Sequence, residues 1–199
     1  MDATDWNRQR YTFWAPFYDL VARFRRQRRR SIELLDLKPG ERVLIVGAGT
    51  GADLPLIPPG VEVLATDLTP AMLERARPRS RRGIELRVMD GQRLELPDAG
   101  FDAVILHLIL AVIPDPVACL REAARVLKPG GRIAVFDKFL AEGSRPNPLR
   151  RLANLPARLL FSDLNRRFGD ILAASGTGLR VERDEPALLG GFFRVLLLR

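Results

Sequence analysis

The chain has a single cysteine, Cys119, which excludes an internal disulfide and any cysteine-built zinc site. A single histidine, His107, removes most histidine-based metal sites too, and no metal is expected. No stretch approaches the roughly 18 consecutive apolar residues that a membrane-spanning helix needs. The first residues include Asp2 and lack an apolar core segment, which speaks against a secretory signal. Lysine is nearly missing, with only Lys38, Lys128 and Lys138 present, yet the net charge is +8. The 199 residues fit one domain, and 47% hydrophobic with 28% charged residues is too apolar for disorder. A soluble, intracellular, single-domain protein is expected.

What is abundant is arginine. Its planar fork matches phosphate and carboxylate oxygens two at a time. A chain this basic suits nucleic acid, an anionic membrane surface or an acidic partner. Scattered arginines also arise where a proteome uses Arg in place of Lys. A dense run is harder to dismiss, and residues 23–30 read Arg-Phe-Arg-Arg-Gln-Arg-Arg-Arg, six arginines in eight positions.

Just upstream, Phe13, Phe17, Leu20, Val21 and Phe24 recur at helical spacing on one face, which Trp14 and Tyr18 widen. Pro16 fits the first turn of that helix, where a missing N–H costs nothing. A second short helix is expected over residues 31–36, ending at Lys38-Pro39-Gly40. Strands and helices then alternate. Residues 42–46 carry a continuous apolar run ending in glycine, the pattern of a strand buried on both faces. Residues 61–66, 84–89, 101–106 and 132–136 read as further strands, with helices over 70–77 and 116–127 between them. Such alternation implies parallel pairing in an α/β, doubly wound, three-layer αβα sheet. Residues 179–183 and 192–198 are late strands whose link is too short for a helical crossover, so they pair antiparallel. Residues 141–175, rich in Arg, Pro and Asn, are expected to hold two helices. A boundary at residue 38 separates an amphipathic helical segment (1–38) from the α/β domain (39–199).

Gly47-Ala48-Gly49-Thr50-Gly51 directly follows the first strand, where glycines allow a tight turn and a close backbone approach. Twenty positions after Gly47, at the end of the second strand, Asp67 can accept hydrogen bonds from both ribose hydroxyls of a nucleoside cofactor. Gly47, Gly49 and Ala52 also satisfy the dinucleotide fingerprint, so the turn alone does not choose between cofactors. Asp90, in Val88-Met89-Asp90-Gly91-Gln92, closes the third strand where it can receive an adenine amino group. Asp67 and Asp90 also suit helix N-capping, a role compatible with binding.

With Leu96-Pro97-Asp98-Ala99-Gly100-Phe101-Asp102 and Leu127-Lys128-Pro129-Gly130-Gly131-Arg132 following in order, the sequence resembles the class I S-adenosylmethionine-dependent methyltransferases, in their ubiquinone/menaquinone-methyltransferase-like subgroup. The resemblance covers residues 43–137. It implies a Rossmann-like seven-stranded sheet whose last strand is antiparallel, with S-adenosyl-L-methionine as cofactor and S-adenosyl-L-homocysteine as product. It also implies that Gly47, Ala48, Gly49 and Gly51 border the methionine part, that Asp67 holds the ribose, and that Leu68 and Met72 flank the adenine. Asp90 and Gly91 address the adenine edge, with Asp53, Gln92 and His107 as neighbours.

Methyl transfer is an in-line displacement that mainly asks the protein to align a nucleophile about 3–3.5 Å from the methyl carbon. After the fourth strand the chain reads Leu106-His107-Leu108-Ile109 where many nucleobase methyltransferases carry Asn- or Asp-Pro-Pro-aromatic, and no Pro-Cys pair occurs. No nucleic-acid partner is expected. An aromatic face flanked by arginines suits an anionic bilayer surface. On that reading Phe13, Trp14, Phe17, Arg25, Arg26, Arg28, Arg29 and Arg30 meet the membrane; on the plainer one the helix is a lid with arginines in solvent.

The Tyr11…Tyr18-Asp19 element, the arginine run, Gly-Thr-Gly-Ala-Asp-Leu-Pro-Leu, and the segments Asp137-Lys138-Phe139 and 162–168 are similar to bacterial phospholipid N-methyltransferases over nearly the whole chain. That resemblance implies a phosphatidylethanolamine substrate, continuing in some members towards phosphatidylcholine, and a cytoplasmic enzyme held peripherally at the inner face of the cell membrane. His107, at a strand end, could accept the ammonium proton or could be a core histidine. Tyr18 could orient the amine or pack as part of a lid. Lys138, Arg145, Arg166 and Arg167 are candidates for the lipid phosphate. A quinone or other small-molecule acceptor, and an RNA-binding methyltransferase-like protein, are the alternatives. Pro55 and Pro58 predict a short first helix after the glycine turn.

Overall fold

β1 (Arg42–Val46) lies mid-sheet because it is apolar on both sides: Leu44 and Val46 enter one apolar cluster, Val43 and Ile45 the other. The computed structural model describes residues 3–14, 24–143, 152, 154 and 162–199. β2 (Glu62–Asp67) and β4 (Phe101–His107) flank β1 in parallel, with Val43 opposite both Val63 and Ala103. β3 (Ile84–Val88) lies beyond β2, and β5 (Leu127–Lys138) beyond β4. β6 (Val181–Leu188) and β7 (Phe193–Leu198) complete the order β3-β2-β1-β4-β5-β7-β6. β7 runs antiparallel to both β5 and β6. Only the one-turn Leu189–Gly191, with Gly190 and Gly191 at φ 64 and 92, joins it to β6, too little chain for a crossover.

Helices cover both faces. α1 (Ala3–Trp14) and α2 (Arg25–Leu34) precede the sheet, α3 (Pro70–Ala76) follows β2, α4 (Pro116–Val126) follows β4, and α5 (Phe168–Ser175) precedes β6. Asp115 caps α4 by accepting the Ala118 N–H at 2.9 Å, with Pro116 in the first turn. Cys119, Leu120 and Ala123 of α4 pack with Phe168 and Ile171 of α5 on the Leu44 side of the sheet. Ile32 of α2 and Leu35 just beyond it fill the opposite side, with Val43 and Ile45. The result is the expected three-layer αβα arrangement with seven strands and a reversed last strand.

In the N-terminal region the described residues form two helices. The described part of α1 runs to Trp14, so Phe13 stands in its last turn, 71% exposed, while Pro16 and most of the helix expected up to Phe24 fall outside the described residues. Phe17, Leu20 and Val21 lie outside the described residues. From Arg25 onward the arginine run opens α2, which absorbs the short helix expected over residues 31–36. Ile32 and Leu35 are core residues, packed with Val43 and Ile45. β5 begins at Leu127 rather than 132, and its register against β4 shifts between Phe101 and Ala103 to accommodate the Pro-Gly-Gly segment.

Candidate active site

At the carboxyl ends of β1 to β4, where ligands of open α/β sheets bind, lies a crevice of about 640 Å³. The turn after β1 forms part of it, with Gly47 at φ 71 and Gly49 at φ 55. A Cβ on Gly47 would stand 2.7 Å from Ile109 Cδ1, and one on Gly91 would stand 2.6 Å from Val46 Cγ1. Both glycines are therefore points where opposite walls reach the backbone itself.

Asp67, the last residue of β2, ties this turn to the next loop. Its Oδ2 accepts the Gly49 N–H at 2.8 Å and its Oδ1 the Thr69 N–H at 2.8 Å. Burial pushes the Asp67 carboxyl above its ordinary range, and the Thr69 and Gly49 amides pull it part of the way back. The Thr69 side chain is a third donor to this carboxylate, and since the two oxygens offer about four acceptor sites, capacity for a ligand donor remains. At the crevice's other end Asp90 accepts the Gln92 N–H at 2.9 Å and the Gln92 side-chain amide at 3.1 Å. Leu68, Met72, Val112 and Ile113 give the crevice an apolar lining. α1 lies over this side, since Tyr11 lines the crevice and Thr4 Oγ1 is 3.3 Å from Gln92 Nε2.

This donor set fits an adenosyl group, with acceptor capacity for the ribose at Asp67, an apolar lining for a purine and a carboxylate near an exocyclic amine at Asp90. It fits a dinucleotide poorly. The pyrophosphate of such a ligand rests on the N-terminus of the helix after the glycine turn, and here that turn leads only into the three-residue 3-10 turn Leu54–Leu56. The proline pair Pro55/Pro58 accounts for its shortness, as expected from the sequence.

Of the expected cofactor residues, Gly47, Gly49, Asp67, Leu68, Met72, Asp90, Gly91 and Gln92 line the crevice. Ala48, Gly51, Asp53 and His107 stand behind its wall. Ala48 is a backbone tie, donating to Thr66 O at 2.8 Å. A Cβ on Gly51 would come within 2.9 Å of Ala76 Cβ and Leu54 Cδ1, so this glycine lets α3 pack against the turn. Asp53 and His107 belong to a buried polar group instead. Arg28 Nη1 donates to Asp53 Oδ2 at 2.7 Å, Asp53 Oδ1 is 2.8 Å from His107 Nδ1, and His107 Nε2 is 2.9 Å from Ser31 Oγ. Arg28, Ser31, Asp53 and His107 are only 4%, 0%, 2% and 3% exposed.

Three expectations are corrected here. His107 does not open onto the crevice, because both ring nitrogens are committed below the turn. Asp53 is a structural counter-ion and not a cofactor neighbour. Arg28 is not a membrane-facing arginine, since its guanidinium points inward. Burial alone would push the Asp53 carboxyl up, but Arg28 and then His107 outweigh it and hold the group well below the usual carboxylate range.

The phosphate candidates are also placed. Arg166 is turned inward, its Nη1 donating to Leu110 O and Ile113 O, which corrects its assignment to a lipid phosphate. Arg167 pairs with Asp170 at 2.7 Å, and Lys138 Nζ lies 5.8 Å from the centre of the Phe193 ring. Arg145 and Tyr18 lie outside the described residues. Arg25, Arg26 and Arg29 are exposed on α2, while Arg30 makes a two-pronged pair with Glu185 at 2.7 and 2.9 Å. The sequence reading missed the wall made by Leu108, Ile109, Val112 and Ile113, whose apolar side chains have no diagnostic spacing.

Fold and crevice together are those of a class I S-adenosylmethionine-dependent methyltransferase. A family model described as a methyltransferase domain matches residues 44–135. The chain is 38% identical over 177 residues, 85% of its own length and 84% of the relative's, to a phosphatidylethanolamine N-methyltransferase of Cereibacter sphaeroides. It is 41% identical over 144 residues to a demethylmenaquinone methyltransferase of Tropheryma whipplei, spanning 68% of this chain but 59% of that relative. The crystal structure of an S-adenosylmethionine-dependent methyltransferase from Mesorhizobium loti superposes with a TM-score of 0.64 at 22% identity, covering 85% of this chain and 96% of that one. The chain belongs to the S-adenosylmethionine-dependent methyltransferases, and S-adenosylmethionine is its cofactor.

Arg28→Ala would leave the Asp53 carboxylate buried without its strongest partner. A loss of about 3–5 kcal/mol is expected, read as a fall of roughly 6–20 °C in Tm for a domain of this size. Because Asp53 titrates below its unfolded value, its contribution is complete above about pH 4 and is lost as pH falls further. The difference in Tm between wild type and variant should therefore shrink on acidification. A Tm difference under about 2 °C at pH 7 would remove the buried pair from the folding argument.

Proposed function

We propose that the protein methylates the amine of phosphatidylethanolamine at an anionic membrane surface. One observation carries this reading: the match to a phosphatidylethanolamine N-methyltransferase extends over 84% of that relative, whereas the demethylmenaquinone enzyme is matched over 59% of its length. The exposed arginines Arg25, Arg26 and Arg29 of α2 support it, since they offer positive charge beside the domain. Among the described residues no helix is long and apolar enough to cross a membrane, so contact would be peripheral.

Bound S-adenosylmethionine supplies an electrophilic methyl group on a sulfonium. In this reading Asp67 takes the ribose and Asp90 the adenine edge, while Leu68, Met72 and Ile113 pack around the purine. Gly47 and Gly49 keep the turn free of side chains so that the methionine part can lie against the backbone. Tyr11 and the wall from Leu108 to Val112 exclude water from the acceptor side, where the neutral amine must meet the methyl carbon in line. Demethylated menaquinone is the second reading, favoured by the 41% identity over the cofactor-binding core.

Incubation with labelled cofactor and vesicles containing phosphatidylethanolamine, followed by lipid chromatography, should yield labelled monomethyl lipid. Label transferred only to a demethylated quinone offered in parallel would select the second reading. The triple change R25S/R26S/R29S should weaken sedimentation with anionic vesicles by roughly 100-fold, at about 1 kcal/mol per arginine; unchanged sedimentation would show that another surface meets the membrane. Asp67→Ala should weaken binding of S-adenosylhomocysteine by at least about tenfold, the effect of losing a charge-assisted hydrogen bond to the ribose. Undiminished affinity in calorimetry would contradict the ribose contact.

A further inference from the structure

Between β4 and α4 the chain crosses the mouth of the crevice as residues 108–115, and Leu108, Ile109, Val112, Ile113 and Pro114 form one of its walls. The wall begins in an unfavourable conformation. Leu108 has φ 58, a region that a branched L-residue enters only when its surroundings force it. Residues 109–113 then make a single helical turn, with the Val112 and Ile113 amides both donating to Ile109 O, at 3.0 and 2.9 Å. No helix continues from this turn, because Pro114 and Pro116 have no N–H to give. The Leu110 and Ile113 carbonyls are thus left without a partner inside the turn, as at any helix end.

Arg166 meets that need from outside. Its Nη1 donates to Leu110 O and, at 2.7 Å, to Ile113 O, and Nη2 reaches Pro114 O at 3.4 Å. The fork is itself held: the Arg166 carbonyl accepts the Leu140 N–H at 2.8 Å, and Asp163 three residues earlier is fixed by Asn154 Nδ2 at 2.9 Å. Two more ties fasten the middle of the wall. Asp137 Oδ2 accepts the Ala111 N–H at 2.9 Å, and the Asp163 N–H donates to Ala111 O at 2.8 Å. Asp137, at the end of β5, is fully buried.

We propose that Arg166 is a positioning residue for the methyltransferase site. By taking the Leu110, Ile113 and Pro114 carbonyls at the end of the interrupted turn, it holds the 108–115 wall in the one shape that closes on the cofactor, although it stands behind that wall. Lysine cannot replace it fully, because a point charge on a flexible stem does not span carbonyls four residues apart as a planar fork does.

The test measures S-adenosylhomocysteine binding to the full chain by calorimetry, together with hydrogen exchange over residues 108–115 in the unliganded protein. Arg166→Met should raise Kd roughly tenfold, as it would if the binding-competent wall falls to about a tenth of the population, and should speed exchange within 108–115 while the central strands stay protected. Arg166→Lys should fall between. Arg121→Met is the control, because its guanidinium likewise caps carbonyls, Ser175 O at 3.0 Å and Ala174 O at 2.8 Å, but between α4 and α5. It should lower Tm and leave Kd unchanged. Wild-type Kd and exchange in Arg166→Met, or an equal loss of affinity in Arg121→Met, would overturn the proposal. If Arg166→Met does not fold, wild-type values in Arg166→Lys overturn it equally.

Discussion

A guanidinium and a carboxylate can be taken out of water together only if each finds the other, since an unpaired buried charge costs several kcal/mol. The Arg28–Asp53 pair obeys that rule at the point where the N-terminal helix meets the loop below the glycine turn. Much of the architecture around the crevice is arranged to allow it. α2 packs beside the short Leu54–Leu56 turn, and the two prolines that keep this turn short leave the helix close enough for Arg28 to reach in. His107 and Ser31 extend the pair into a chain that joins α2, the glycine-turn loop and the end of β4. A segment that looks detachable in sequence is thereby part of the scaffold beneath the cofactor turn.

The crevice above this scaffold follows one economical rule: side chains that organise its backbone leave spare valence facing inward. Asp67 fixes the Gly49 and Thr69 amides and still has acceptor capacity for a ligand. Gln92 joins Asp90 to the Asp115 amide that starts α4. Binding groups held in this way lose little freedom when a ligand arrives, which is what preorganisation means in energetic terms. The cost appears as burial of Asp67 and Asp137, whose carboxyls are both pushed up by desolvation. Sites that hold charge ready for a ligand tend to carry such shifts.

The central strands, the glycine turn and Asp67 were legible in the sequence because each is fixed by local chemistry: an apolar run, a required positive φ, and an acid at a set distance. His107 stands at a strand end but on the wrong face for the crevice, because side chains alternate along β4. Ala103, Ile105 and His107 alternate onto the face that α2 covers, while Val104 and Leu106 point the other way. Arg28 carried a similar unused signal. It lies three, four and seven residues before Ser31, Ile32 and Leu35, so it shares their buried face, and the density of arginine around it concealed the period. The 108–115 wall was not legible at all, because the groups that tie its backbone, Arg166 and Asp163, lie more than 50 residues further along the chain.

Arginine count is therefore a poor guide to what α2 can attract. Of the five arginines from 25 to 30, Arg28 is neutralised by Asp53 and Arg30 by Glu185, which leaves three directed outward. Arg25 and Arg29 are one helical turn apart and Arg26 is adjacent, so all three fall within about 6 Å along the axis. That is shorter than the Debye length of about 8 Å at physiological salt, and a charged surface would feel them as a single patch. At about 1 kcal/mol each they supply an attraction that is modest and reversible. An enzyme whose substrate is dispersed across a membrane gains from such a contact, since product release then does not require it to leave a tight anchor. An enzyme for a soluble acceptor would gain nothing from it.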